Sequence, residues 1–138
     1  FALASTLLAL PLAVQADILV LNDIQAQDGI QLSVNELRQL MPGAQVVKRT
    51  QTGSTHRWTN EPEGKFVASS DGRGSSGRSG RAQGTWHVGD NGAYCVTLEW
   101  PRDSESWCRY IFKVGEKYFG VKSVADGTTK AHEIEFSK

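Results

Sequence analysis

The sequence predicts a mainly β domain: an antiparallel up-and-down meander of about eight strands, closed into a small barrel or a strongly curved sheet, after one short N-terminal α-helix. A β-sandwich is the alternative arrangement. Three observations predict this. The block from Gly84 to Val121 reads as a continuous meander and holds both cysteines and three of the four tryptophans. Polar turns punctuate the chain at short intervals, at 51–54, 60–64, 89–92, 115–116 and 125–128. No βαβ rhythm occurs, which argues against a doubly wound fold.

Taken in order, residues 1–16 are apolar and uncharged and end Val14-Gln15-Ala16. This is the pattern of the tail of a secretory signal peptide, and the run is too short to span a bilayer. A single mature domain is then expected over 17–138. Ile18 to Leu21 reads as a short strand or a disordered mature N-terminus, broken by Asn22, Asp23, Asp28 and Gly29. Ser33 followed by Glu36 is a capping box, and Val34, Leu37 and Met41 fall on one helical face before the Pro42-Gly43 stop. A helix this short must dock, across an open end or an edge of the sheet. Strands are expected over 45–50, 55–59 and 65–69. Residues 71–83 are a Gly/Ser/Arg stretch with almost nothing apolar, expected to be a flexible loop. After the meander, 131–136 alternates cleanly and closes the chain.

Cys95 and Cys108 are expected to pair in an oxidising compartment. The strand faces disagree, however. On 108–114 the apolar face holds Cys108, Tyr110, Phe112 and Val114, which should point inward. On 93–100 it holds Tyr94, Val96, Leu98 and Trp100, which leaves Cys95 outward. Bonded cysteines on neighbouring strands share a face. A bulge, a cysteine beyond the regular pairing, or an absent disulfide would each resolve this; a break in regularity near Trp107-Cys108 is the expectation.

The net charge is zero, with seven bases against three acids between Val46 and Ala82. This is not the balance of a nucleic-acid-binding domain, and it leaves room for a modest anion-facing surface. No Walker-type loop, no Gly-x-Ser-x-Gly elbow and no zinc-protease histidine pair occurs, so no catalytic residue and no cofactor are assigned. His56, His87 and His132 are scattered and read as unrelated rather than as a metal set. Glu99 and Glu105 read as solvated hairpin carboxylates rather than a glycosidase pair. The binding candidates are Arg73, Arg78 and Arg81, bidentate donors on a chain able to wrap an anion, and Trp107, on a polar face with Arg109 and Lys113.

Four blocks, Gly84-Thr85-Trp86-His87-Val88, Asp90-Asn91-Gly92-x-x-Cys95, Trp107-Cys108-Arg109-Tyr110 and Gly115-Glu116-Lys117-Tyr118, carry a resemblance. The chain resembles an uncharacterised, domain-of-unknown-function family of small exported β-rich proteins from Gram-negative bacteria. The resemblance implies a periplasmic or secreted β domain with a short helix before the sheet, and no substrate or catalytic residue. The functional expectation is a non-enzymatic envelope or secreted binding module, for an anionic envelope component or a protein partner. The alternative is a small-ligand carrier with an aromatic-lined barrel.

Overall fold

The computed structural model describes residues 19–73 and 78–138. They run α1 (Leu21–Ala26), β1 (Ile30–Gln31), α2 (Val34–Leu40), β2 (Gln45–Arg49), β3 (Thr55–Thr59), β4 (Lys65–Ser70), β5 (Gly80–Val88), β6 (Ala93–Glu99), β7 (Ser104–Val114), β8 (Lys117–Val121) and β9 (Ala131–Ser137). Strands β2 to β9 pair antiparallel in sequence order, and β9 returns to pair with β2. This closes an eight-stranded barrel, with β1 as an extra two-residue strand on β7. Closure removes the sheet edges that a sandwich would leave. Residues 1–16, read as a signal remnant, lie outside the described residues, as do 74–77 within the Gly/Ser/Arg stretch.

Up-and-down winding sends alternate connections to opposite ends. The connections at 60–64, 89–92 and 115–116 share one end with α2, and those at 50–54, 100–103 and 122–130, with residues 71–73 and 78–79, share the other. The helix forms where the capping box places it: Glu36 N–H donates to Ser33 Oγ at 3.1 Å, and Ser33 N–H to Glu36 Oε1 at 3.0 Å. Leu37 and Met41 are fully buried, and α2 seals its end of the barrel. Beneath it, Tyr94 OH donates to Asn60 Oδ1 at 2.7 Å, and Trp58 Nε1–H reaches the same oxygen at 3.1 Å. All three residues are buried, so removing the shared acceptor orphans the Tyr94 hydroxyl as a donor and leaves Trp58 Nε1–H with only its 3.2 Å bond to Tyr94 OH. Asn60→Ala should cost about 2 kcal/mol in urea unfolding, with no change in barrel topology by circular dichroism.

The barrel interior is filled. Trp58 stacks on Phe66 at 5.1 Å, and Phe136 packs edge-on against Tyr94 and Tyr118 at 5.7 and 5.4 Å. Gly84 faces Phe66 across β4 and β5, and its missing side chain makes the room the ring occupies.

Three expectations need correction. First, no bulge interrupts the cysteine hairpin: the β6–β7 register steps one for one from Glu99↔Ser104 to Ala93↔Tyr110, with Cys95 opposite Cys108 and the disulfide formed across a Cα separation of 4.0 Å. The inward face of β7 is instead Glu105, Trp107, Arg109 and Ile111, since Trp107 lies opposite buried Val96. The apolar outward face is covered from outside, where Leu21 and Ile24 of α1 join Phe112, Phe119, Val121 and Ala131 in a second core.

Second, the covering element is a helix: Ile18 lies outside the described residues, Val20 makes an isolated antiparallel bridge with Lys130, and from Leu21 the chain turns into α1 instead of breaking. Asp23 does not break it but anchors it, accepting from Val20 N–H at 2.9 Å. Leu21 N–H and Asn22 N–H are tied to Thr129 O and Gly127 O at 2.8 and 2.9 Å. Third, the last residues of the Gly/Ser/Arg stretch are strand and not loop. Residues 80–83 belong to β5, where Ala82 is buried opposite Ala68 and Arg81 pairs with Ser69. Two alanines meeting across the strands are enough to continue the inward row.

Candidate functional site

The end away from α2 is open. Strand β8 stops at Val121, opposite Tyr110, so residues 104–109 of β7 run on past it. Side chains that point inward here line a cup of about 730 Å³. Strand β2 contributes Lys48, which its register sets opposite His56 on β3 and Ile134 on β9. Strand β7 contributes Glu105, Trp107 and Arg109, and β9 contributes His132. The rim adds Arg49, Arg78 and Lys122. Among the described residues the lining therefore carries five Lys or Arg cations and a single carboxylate, Glu105.

Trp107 is the floor. It is half-buried and packs on the aromatic core, 6.2 Å from Tyr94 and 6.4 Å from Trp58. Its indole carries two cations: Lys48 Nζ lies 4.0 Å from the ring centroid and the Arg109 guanidinium 5.3 Å. The one carboxylate is already engaged. Glu105 Oε1 accepts from Trp107 Nε1–H at 3.1 Å, and Glu105 Oε2 pairs with Arg78 Nε at 2.8 Å. Arg78 also reaches Asp103 at 2.8 Å. Among the described residues, no carboxylate comes within ion-pair distance of Lys48 or Arg109.

The electrostatics follow from that arrangement. Burial, and then the neighbouring Arg109 charge, bring the Lys48 ammonium down to about 8. Burial also lowers Arg109, with Glu105 opposing it. His132 is held below the ordinary imidazole range by burial and then by Lys48. His56 is lowered mainly by its own burial. It packs 4.7 Å from Trp100, and among the described residues neither His56 Nε2 nor Trp100 Nε1 has a hydrogen-bond partner. A half-buried cation kept without a counter-ion is unfavourable in the free protein, and such groups gather where a ligand supplies the missing charge.

The predicted contact residues are dispersed. Arg78 turns to the cup rim and is paired. Arg73 stays on the exposed loop, its N–H donating to Asp71 Oδ1 at 3.0 Å. Arg81 projects from the outer face of β5, exposed. Trp107 sits on the polar face, as read, but that face looks into the barrel mouth, not out to solvent. Glu99 and Glu105 fall on opposite faces of the sheet, and Glu105 is not a solvated carboxylate: its side chain is 11% exposed. His56 and His132 face inward, whereas His87 lies outside opposite Cys95. Among the described residues, no group of three or more His, Cys, Asp or Glu side chains is placed to hold a metal.

Lys48, Arg49 and Lys122 were not singled out by sequence reasoning. A usable signal existed for Lys48. It shares the alternation of Val46, so a lysine occupies an inward position of a strand whose other inward residue is core. No described helix is long and apolar enough to cross a membrane. No family model, no curated protein and no solved structure matches this chain.

Proposed function

We propose that this protein is a non-enzymatic, exported binding module that takes a small anionic ligand in the cup at the barrel mouth. The observation that carries this reading is the pair of half-buried cations, Lys48 and Arg109, on one indole with, among the described residues, no carboxylate within ion-pair distance of either. An anion entering the cup supplies that charge and accepts hydrogen bonds from both. The ion pair of Glu105 with Arg78 and its hydrogen bond from Trp107 engage the one acid among the described lining residues. The interior beneath is occupied by Trp58, Phe66, Tyr94 and Phe136, which favours a ligand at the mouth over one carried inside. The disulfide supports an oxidising compartment, and a periplasmic or secreted protein would meet anionic envelope components there.

Titration calorimetry with pyrophosphate, citrate and glycerol 3-phosphate at low ionic strength tests the reading. At least one should bind, with affinity falling as salt rises. Arg109→Gln should weaken that binding at least ~10-fold, the scale of one lost charge-assisted hydrogen bond. Arg73→Ser and Arg81→Ser should leave it unchanged. No binding of any of the three would overturn the reading. Loss only on changing Arg73 and Arg81 would move the site to the loop.

A further inference from the structure

We propose that Lys48 is a covalent capture site: its Nζ forms an imine with the carbonyl of an aldehyde or ketone that also carries a phosphate or carboxylate group. The inference rests on the anion-binding reading of the cup and specifies its ligand class. Lys48 differs from an ordinary surface lysine in three ways that can be read from its surroundings. Its Nζ lies over an indole face, 4.0 Å from the centroid, instead of in bulk water. It lines the wall of a cup of about 730 Å³, large enough for a small molecule to reach the amine. Among the described residues, no carboxylate pairs with it to hold it as the ammonium.

The charged groups around it come from every wall. Arg109 and Glu105 face it from β7, Arg78 from the segment before β5, and Lys122 from the segment after β8. His56 faces it from β3 and His132 from β9. Burial first, and then the excess of cations over acids in this set, favours the neutral amine, the form with a lone pair to donate. The step balances without a redox partner. The nitrogen lone pair adds to the carbonyl carbon, and the C–N bond forms. The carbonyl oxygen then leaves as water with the two amine hydrogens, giving a C=N bond.

The neighbours also select the carbonyl compound. A protonated imine would restore positive charge beside Arg109 and Arg78, so a neutral aldehyde gains little. A ligand bearing its own anionic group offsets that charge and is oriented by the same arginines. Phosphate and carboxylate share this chemistry, and the comparison of probes separates them.

The probe is pyridoxal 5′-phosphate, with pyridoxal as the same aldehyde lacking the phosphate and glyoxylate as a carboxylate carbonyl. The folded wild-type protein is treated with each, reduced with borohydride and mapped by peptide mass spectrometry. Lys48 should be modified at least ~10-fold faster than Lys65, Lys113, Lys117 or Lys138, because more of it is unprotonated at neutral pH. Pyridoxal, which gains only from the unprotonated amine and not from the arginines, should show a clearly smaller preference, and excess pyrophosphate should protect Lys48 from pyridoxal 5′-phosphate. Lys48→Arg, which keeps the cation but has no primary amine, should abolish the adduct. Even modification of all lysines, or equal preference with pyridoxal, would overturn the imine proposal even where pyrophosphate still binds by calorimetry. Failure of both pyrophosphate and carbonyl compounds would overturn the cup reading itself.

Discussion

Gly84→Ala should destabilise the protein by about 4 kcal/mol, although it adds one methyl group. The glycine is not there for its backbone freedom, since its φ is not in the left-handed region. It is there for space. A Cβ at this position would overlap Phe66 Cε1 and Cζ and lie 2.5 Å from Cδ1. The ring cannot retreat, because its other neighbour is Trp58, stacked at 5.1 Å with an interplanar angle of 17°. Trp58 is in turn held by Asn60 and Tyr94. Phe66 is only 2% exposed, so expelling its ring approaches the cost of deleting a core aromatic. Urea unfolding of Gly84→Ala, Phe66→Leu and the double variant checks this. The smaller side chain should relieve the clash, making the double variant more stable than Gly84→Ala alone by at least ~1 kcal/mol. Additive losses would show that something other than the ring meets the new methyl.

The same packing explains which parts of the fold were legible in the sequence. Alternation and turn residues marked the barrel strands because each turn is local, and the capping box marked α2 for the same reason. Which face of β7 points inward was not legible. Both faces carry large side chains, and the more apolar one is outward because α1 covers it from a distant part of the chain. That helix was itself hidden. Asn22 and Asp23 read as breakers, whereas its six residues are held by contacts to Gly127 and Thr129. Once β7 is turned over, the cysteine conflict disappears and Trp107 moves from the outer surface to the barrel mouth. The cup was illegible for the reason most barrel sites are: Lys48, Arg78, Arg109, Lys122 and His132 come from separate elements and meet only on closure. The loop arginines were conspicuous in sequence because they lie close together, and of the three only Arg78 reaches the cup. The other cup cations, Lys48, Arg49, Arg109 and Lys122, are brought to it by β2, β7 and the segment after β8.

Lys48→Met should stabilise the free protein at neutral pH by about 2–3 kcal/mol while removing the cation over Trp107. The amine titrates at about 8 in the fold, where burial and Arg109 disfavour its charge. In the unfolded chain it titrates near the ordinary lysine value of about 10.4. Below about pH 8 the lysine is charged in both states, and the folded state bears the full penalty. As pH rises from about 8 to about 10.5 the unfolded chain holds more protons than the folded one, and the penalty is relieved. The stability gap between variant and wild type should therefore be widest below about pH 8 and close above about 10.5. Methionine keeps the length and lays a polarizable thioether on the indole, so packing is retained. Pyrophosphate should then raise the melting temperature of the wild type and have a much smaller effect on the variant. An unchanged gap across the whole pH range would mean that Lys48 is not desolvated, and it would sink the cup as a site. The expected pattern, a substitution that strengthens the fold and weakens anion binding, separates a lysine kept for a ligand from one kept for the structure.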